Sequence, residues 1–251
     1  SVNLTGKLVI GQSAGTITGN GAMTLAATNG LGIDTSITAA GNIALDGDSN
    51  NSNQTGDGIA LGSGVSLTSS GGTITLDSTN GGITAPGAVT LDAAGAITLN
   101  DDFTASGNIL IKSNGLSING SSLSSGANST TIQTAVAGTT IGLCGTTCSG
   151  SYGFSLNSPG FAKITAGSLI VGDSNNGDIT VEGVTTTIDN VTLNATNSTG
   201  RSITFNTGSS SFKGLTANAS NGILLSSGVT TQGTTSFDSD TDAETNIGGD
   251  F

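Results

Sequence analysis

Gly72-Thr73-Ile74-Thr75-Leu76, Gly87-Ala88-Val89-Thr90-Leu91 and Gly95-Ala96-Ile97-Thr98-Leu99 are three copies of one phrase. A glycine and a variable residue are followed by two apolar residues that flank a small polar one. The phrase also stands at Gly21 to Leu25, Gly41 to Leu45 and Gly64 to Leu67. It continues at Gly107 to Ile111 and Gly177 to Val181, and in looser form at Arg201 to Phe205 and Gly222 to Leu225. Alternation of apolar and polar residues is the period-two signature of a strand with one buried face. Its return about every twenty residues, from Leu25 to Leu45 to Leu67 to Leu91, marks a solenoid.

Composition agrees with that reading. Of 251 residues 41 are Gly and only 9% are charged, with no His or Trp and a single Tyr. Such a polar, Gly-rich chain could be disordered, yet disordered chains lack the β-branched residues that this one places in register. A few large side chains per repeat would fill the narrow interior of a β-helix, with Gly and Asn at corners that need positive φ. The expected fold is all-β: a single-stranded, right-handed parallel β-helix (β-solenoid) of roughly 20–24 residues per coil, its hand following the right-handed preference of parallel crossovers. About eleven coils spaced about 4.8 Å apart would make a rod of order 50 Å. The inward residues are expected to include Leu25, Ile43, Leu45, Leu67, Ile74, Leu76, Val89, Leu91, Ile97, Leu99, Ile109, Ile111, Ile179, Val181, Ile203 and Phe205.

Along the chain, residues 1–118 read as unbroken coils. Residues 119–160 read as coils with enlarged loops and a Cys pair, 161–230 as coils again, with strands resuming at Phe161, and 231–251 as an acidic tail or cap. The start at Ser1-Val2-Asn3 reads as a mature or excised N-terminus. Uncapped β-helix ends expose unpaired backbone groups, so end-to-end self-association is expected, or continuation into a longer protein.

The net charge of -12 and five scattered cations (Lys7, Lys112, Lys163, Arg201 and Lys213) leave no basic patch to neutralise phosphates. No nucleic acid partner is expected. No apolar run approaches the length of a membrane-spanning helix, so no membrane insertion is expected either.

Cys144 and Cys148 enclose three residues. A disulfide between them implies an oxidising, extracytoplasmic setting and is preferred to a metal half-site or a reduced redox pair. Calcium is the one cofactor the residues suggest. Asp46, Asp48, Asn50, Ser52 and Gln54 alternate, and Asp57 falls at the twelfth position, as in an EF-hand loop. Asn51 stands where that loop expects Gly, Asp57 replaces its Glu, and a solvated turn is the stronger reading. Asp238, Asp240, Asp242 and Glu244 form a weaker candidate of the same kind.

Gly11-Gln12-Ser13-Ala14-Gly15 matches the nucleophile-elbow pattern, but the chain has no His to act as its base. Asp101-Asp102 is the adjacent acidic pair of the repeat region, and converging carboxylates of a polysaccharide hydrolase are not otherwise in evidence. Neither catalytic residues nor an enzymatic function are expected. Thr-x-Thr pairs at Thr16/Thr18, Thr73/Thr75 and Thr185/Thr187 are spaced too irregularly to align as one ice-binding face.

The phrases from Gly72, Gly95 and Gly107, with Ile164 to Gly172 and Gly177 to Val181, resemble the repeats of filamentous haemagglutinin-like adhesins, the large exoproteins of bacterial two-partner secretion. Thr140 to Leu143 and Phe154 to Leu156 are similar to a connecting passage between such repeats. The resemblance spans nearly all of the chain except its acidic end. It implies a right-handed parallel β-helix, a secreted or cell-surface location, and a role in adhesion or biofilm matrix. The Asn-Pro-Asn-Gly type motifs of that family's secretion domain are not found here, so the export route is inferred from the resemblance alone. The expected function is that of a non-catalytic structural rod of a bacterial adhesin, partnered by a cell-surface receptor or matrix glycan. The alternatives are a self-assembling extracellular filament subunit and, less favoured, a β-helix polysaccharide-active enzyme.

Overall fold

A computed structural model describes residues 2–4, 6–11, 15–52 and 56–241. The chain is all-β, with parallel sheets stacked as a β-solenoid of about 10 turns of roughly 22 residues. It divides into two compact units: residues 1–128 with 163–165, and residues 129–162 with 166–251.

In the first unit each turn contributes three short strands. These are β1 (Val2–Leu4), β2 (Leu8–Ile10) and β3 (Ile17–Gly19), then β4 (Met23–Ala27), β5 (Leu31–Ile33) and β6 (Ile37–Ala39). Next come β7 (Ile43–Asp46), β8 (Ile59–Leu61) and β9 (Val65–Ser69), and β10 (Ile74–Asp77), β11 (Ile83–Ala85) and β12 (Val89–Ala93). The series ends with β13 (Ala96–Leu99), β14 (Phe103–Ala105), β15 (Ile109–Lys112), β16 (Gly115–Ile118) and β17 (Leu123–Ser124). Every third strand pairs in parallel, so β1-β4-β7-β10-β13-β16 form one sheet and β2-β5-β8-β11-β14-β17 a second. The run β3-β6-β9-β12-β15 forms the third.

The second unit holds β18 (Ser129–Gln133), β19 (Ile141–Cys144), β20 (Phe154–Asn157) and the helix α1 (Ser158–Ala162). The chain then returns through β21 (Ile164–Thr165), which pairs with β17 in the first unit. It continues as β22 (Ser168–Asp173), β23 (Ile179–Glu182), β24 (Asn190–Ala195), β25 (Ile203–Phe205) and β26 (Ser210–Phe212). The last strands are β27 (Leu215–Ala219), β28 (Ile223–Leu225), β29 (Val229–Thr231) and β30 (Thr235–Asp238). Here β18-β22-β24-β27-β30 and β20-β19-β23-β25-β28 form two sheets, and β26 and β29 a small third.

The repeat phrase explains the core. Register sets like on like: Leu67 pairs with Leu91 and Leu91 with Ile111, while Leu45, Leu76 and Leu99 line up in another sheet. All sixteen residues expected to point inward are buried. Each such side chain contributes about 1.5–3 kcal/mol by leaving water, and an in-register stack makes every coil the packing surface of the next. One corner has its own stack. Gly30, Gly58 and Gly82 directly precede the paired residues Leu31, Ile59 and Ile83, and all take positive φ (90°, 128° and 67°). A side chain in this left-handed region is strained, so the corner recurs as glycine.

Two stretches differ from the sequence reading. Strands do not resume at Phe161: that residue lies buried in α1, and they resume at Ile164. Pro159 suits a first helical turn, since its φ is pre-set and its missing donor is not needed there. Asn157 Oδ1 caps that turn by accepting the Gly160 N–H at 3.3 Å. The strands also run past residue 230, because β30 pairs with β27 through Thr235 to Asp238.

Candidate functional site

Among the described residues, polar groups gather at an acidic corner, in rows of hydroxyls on the outer faces, and around a roofed glutamate in the second unit.

The acidic corner follows from register. Asp46 ends β7 and Asp77 ends β10, and the two are paired neighbours. Asn100 Nδ2 donates to Asp77 Oδ2 at 2.9 Å, and Asn119 Nδ2 to Asn100 Oδ1 at 2.8 Å, extending the row as a hydrogen-bonded ladder. Around the turn, the Asp48 N–H donates to Asp46 Oδ1 at 3.0 Å. Asp48 itself is 1% exposed and accepts from the Ser52 N–H (3.1 Å) and from Asn80 Nδ2 (2.7 Å). Asp101 Oδ2 accepts from the Ser78 N–H at 2.5 Å, while Asp102 Oδ1 takes the N–H groups of Ser121 and Ser122. These carboxylates act as turn caps, pairing backbone donors that the corners leave without a ladder partner.

Their crowding has an electrostatic cost. Burial raises the Asp46 carboxyl above its usual range; the Asp48 N–H opposes this and the Asp77 and Asp48 charges add to it. Burial likewise raises Asp101, opposed by the Ser78 N–H and reinforced by the charges of Asp77, Asp102 and Asp48.

Of the calcium candidates, the structure brings Asp46 and Asp48 together and leaves Asn50 exposed on the same turn. Asp57 lines a shallow groove with Lys7 and Asp34. Asn51 does adopt the left-handed backbone (φ 52°) where an EF-hand has Gly, a conformation Asn tolerates. Among the described residues no group of three or more His, Cys, Asp or Glu side chains is placed to hold a metal ion. Gln54, Asp242 and Glu244 lie outside the described residues, as do Gln12, Ser13 and Ala14 of the nucleophile-elbow match.

The outer faces carry rows of hydroxyls. On one face of the first unit Thr84, Thr104, Ser124 and Thr165 stand in register. On another, Thr18, Thr38 and Thr68 do so. Individual Thr residues had stood out in the sequence as close pairs, whereas register assembles them across coils. Thr18 and Thr75 belong to different sheets. Ion pairs are peripheral: the half-buried Lys112 sits 3.8 Å from Asp92 and, in the second unit, the exposed Lys213 2.8 Å from Asp189. Solvent-accessible pairs of this kind contribute little to stability.

At the third site the sequence pointed to the disulfide, which forms, but not to the glutamate beside it. Cys144 and Cys148 form a disulfide, with Cα atoms 5.2 Å apart, at the start of the loop between β19 and β20. Alternation along β23 turns Ile179 and Val181 inward, placing Glu182 on the outer face, paired in register with Cys144. Glu182 is nonetheless only 5% exposed. It accepts the Ser149 N–H (2.6 Å), the Ser149 hydroxyl (2.8 Å) and the Tyr152 hydroxyl (2.5 Å). Burial pushes its carboxyl up, but the bonds from Tyr152 and Ser149 outweigh this and hold it below the usual glutamate range. The Tyr152 ring lies over Gly142, where an added Cβ would stand 2.1 Å from ring atom Cδ2. Residues thirty positions apart meet here only because the coil returns, so no local pattern announced them.

The site and fold define a β-solenoid with polar ladders on its surface. Comparison with protein-family models, with curated proteins and with solved structures finds no match.

Proposed function

We propose that this chain is a non-catalytic structural segment of a bacterial cell-surface or secreted adhesin, which engages a cell-surface receptor or matrix glycan through the outer faces of its coils. The observation that carries this reading is the in-register hydroxyl row Thr84, Thr104, Ser124 and Thr165. It repeats at the strand spacing of about 4.8 Å and offers a periodic donor and acceptor surface to an extended polar polymer. The resemblance of the repeat phrases to filamentous haemagglutinin-like adhesins supports the same reading.

The test is binding of the purified chain to bacterial cells, host cells and a panel of polysaccharides, with product release followed in parallel. Saturable binding without new sugar ends is expected, weakened when Thr84, Thr104 and Thr165 are replaced together by Val. That change removes hydroxyls while keeping β-branched shape. Turnover of any polysaccharide, or binding to none of these surfaces, would overturn the proposal.

A further inference from the structure

Residues 145–153 cross the outer face of the sheet formed by β19 and β23, and they are held there at few points. The disulfide fixes the start of the loop against β19, and the Gly145 N–H donates to the Glu182 carbonyl at 2.6 Å. Beyond Cys148 three contacts converge on the Glu182 carboxylate, through Ser149 and Tyr152, while Tyr152 also bonds the Thr180 hydroxyl and the Gly153 N–H donates to Thr140 Oγ1 at 3.2 Å. Ser149, Gly150 and Ser151 are exposed, so little apolar burial holds this part down. The Tyr152 ring covers the backbone of Gly142, whose register neighbours Thr180 and Thr204 continue the outer row of the sheet.

We propose that Glu182 is an acid-released latch: as a carboxylate it pins the loop over Gly142, and on protonation it lets Tyr152 and Ser149 lift away and uncover that face. A carboxylate accepts three hydrogen bonds without competition, whereas a carboxylic acid carries a donor of its own and loses the charge-assisted strength of each bond. The groups that meet Glu182 are few. From β19 it faces Cys144, which is in the disulfide and does not titrate. From the loop it faces Ser149 and Tyr152, and along β25 the register continues from Phe205 to the neutral Asn206. Tyr152 is the other titratable group, and burial followed by its bond to Glu182 raises its phenol above the usual range, against a bond from Thr180 that lowers it. Among these groups Glu182 alone titrates in acid. Because its folded-state pKa lies below the unfolded one, the latch is fully closed at neutral pH and opens as pH falls below the ordinary glutamate range.

The chain reports on this loop by itself, since Tyr152 is its one tyrosine and there is no tryptophan. Acrylamide quenching of tyrosine emission should be weak at neutral pH and rise about twofold or more towards about pH 3, while far-UV circular dichroism stays unchanged. Glu182→Gln should show the strongly quenched state already at neutral pH and lose the acid transition. Ser149→Ala, a milder change, should shift the transition to higher pH and serves if the first variant does not fold. Quenching that acid does not alter, a transition that persists unshifted in either variant, or one that coincides with loss of β-structure would overturn the latch.

Discussion

Replacing Leu91 with Ala tests whether the coils behave as a stack. Leu91 is fully buried at the centre of β12, between Leu67 of β9 and Ile111 of β15. Truncation removes three carbons that touch both neighbouring coils and leaves a cavity between layers of an in-register sheet, which cannot easily collapse. Leu-to-Ala changes in such sites cost about 2–5 kcal/mol. Since each 1.4 kcal/mol is a factor of ten, amide exchange in β9, β12 and β15 should accelerate between about thirtyfold and several thousandfold. Stability in a repeat architecture is a sum of nearest-neighbour terms, so β24 in the second unit should exchange as in the parent chain. Hydrogen exchange followed by mass spectrometry resolves both. Unchanged protection in β9, β12 and β15 would show that Leu91 does not mediate coil-to-coil packing. Uniform acceleration everywhere would refute the nearest-neighbour argument.

Glycines should divide by what a Cβ would meet. Gly81→Ala places that atom 2.0 Å from the Asp57 carbonyl oxygen and should destabilise by about 1–3 kcal/mol, whereas Gly21→Ala meets nothing within 4 Å and should leave the melting temperature nearly unchanged. Replacing Cys144 and Cys148 by Ser opens a short ring, for which the chain-entropy model gives about 2 kcal/mol. Thermal melts should drop accordingly while the β-sheet circular dichroism persists, and loss of that spectrum would contradict a local role. Asp101 is raised by burial and by its acidic neighbours, so the stability it contributes is present below the unfolded carboxylate pKa and is lost as pH rises through the folded one. Asp101→Asn, which keeps an acceptor for the Ser78 N–H, should therefore raise the melting temperature at neutral pH, with the gain fading in acid. Calcium and magnesium chloride at equal ionic strength should stabilise the parent chain alike by screening this corner; a calcium-specific gain would reveal a site.

The alternating phrase, repeated every twenty or so residues, was enough to determine the fold class and which side chains of each phrase face inward. Both are local properties: period two separates the faces of a strand, and the repeat length closes one coil on the next. Register and return of the chain decided the rest. Asp46 and Asp77 became an electrostatic pair, and scattered threonines became rows, because parallel pairing aligns residues 20–31 positions apart. Phe161 went into a helical turn because Pro159 and Asn157 shape that bend, overriding the apolar spacing that had suggested a strand. Glu182 sits where alternation alone would expose it to solvent. Only the tertiary structure brings Ser149 and Tyr152 over it, since a hydrogen bond across thirty residues of sequence leaves no trace in either segment.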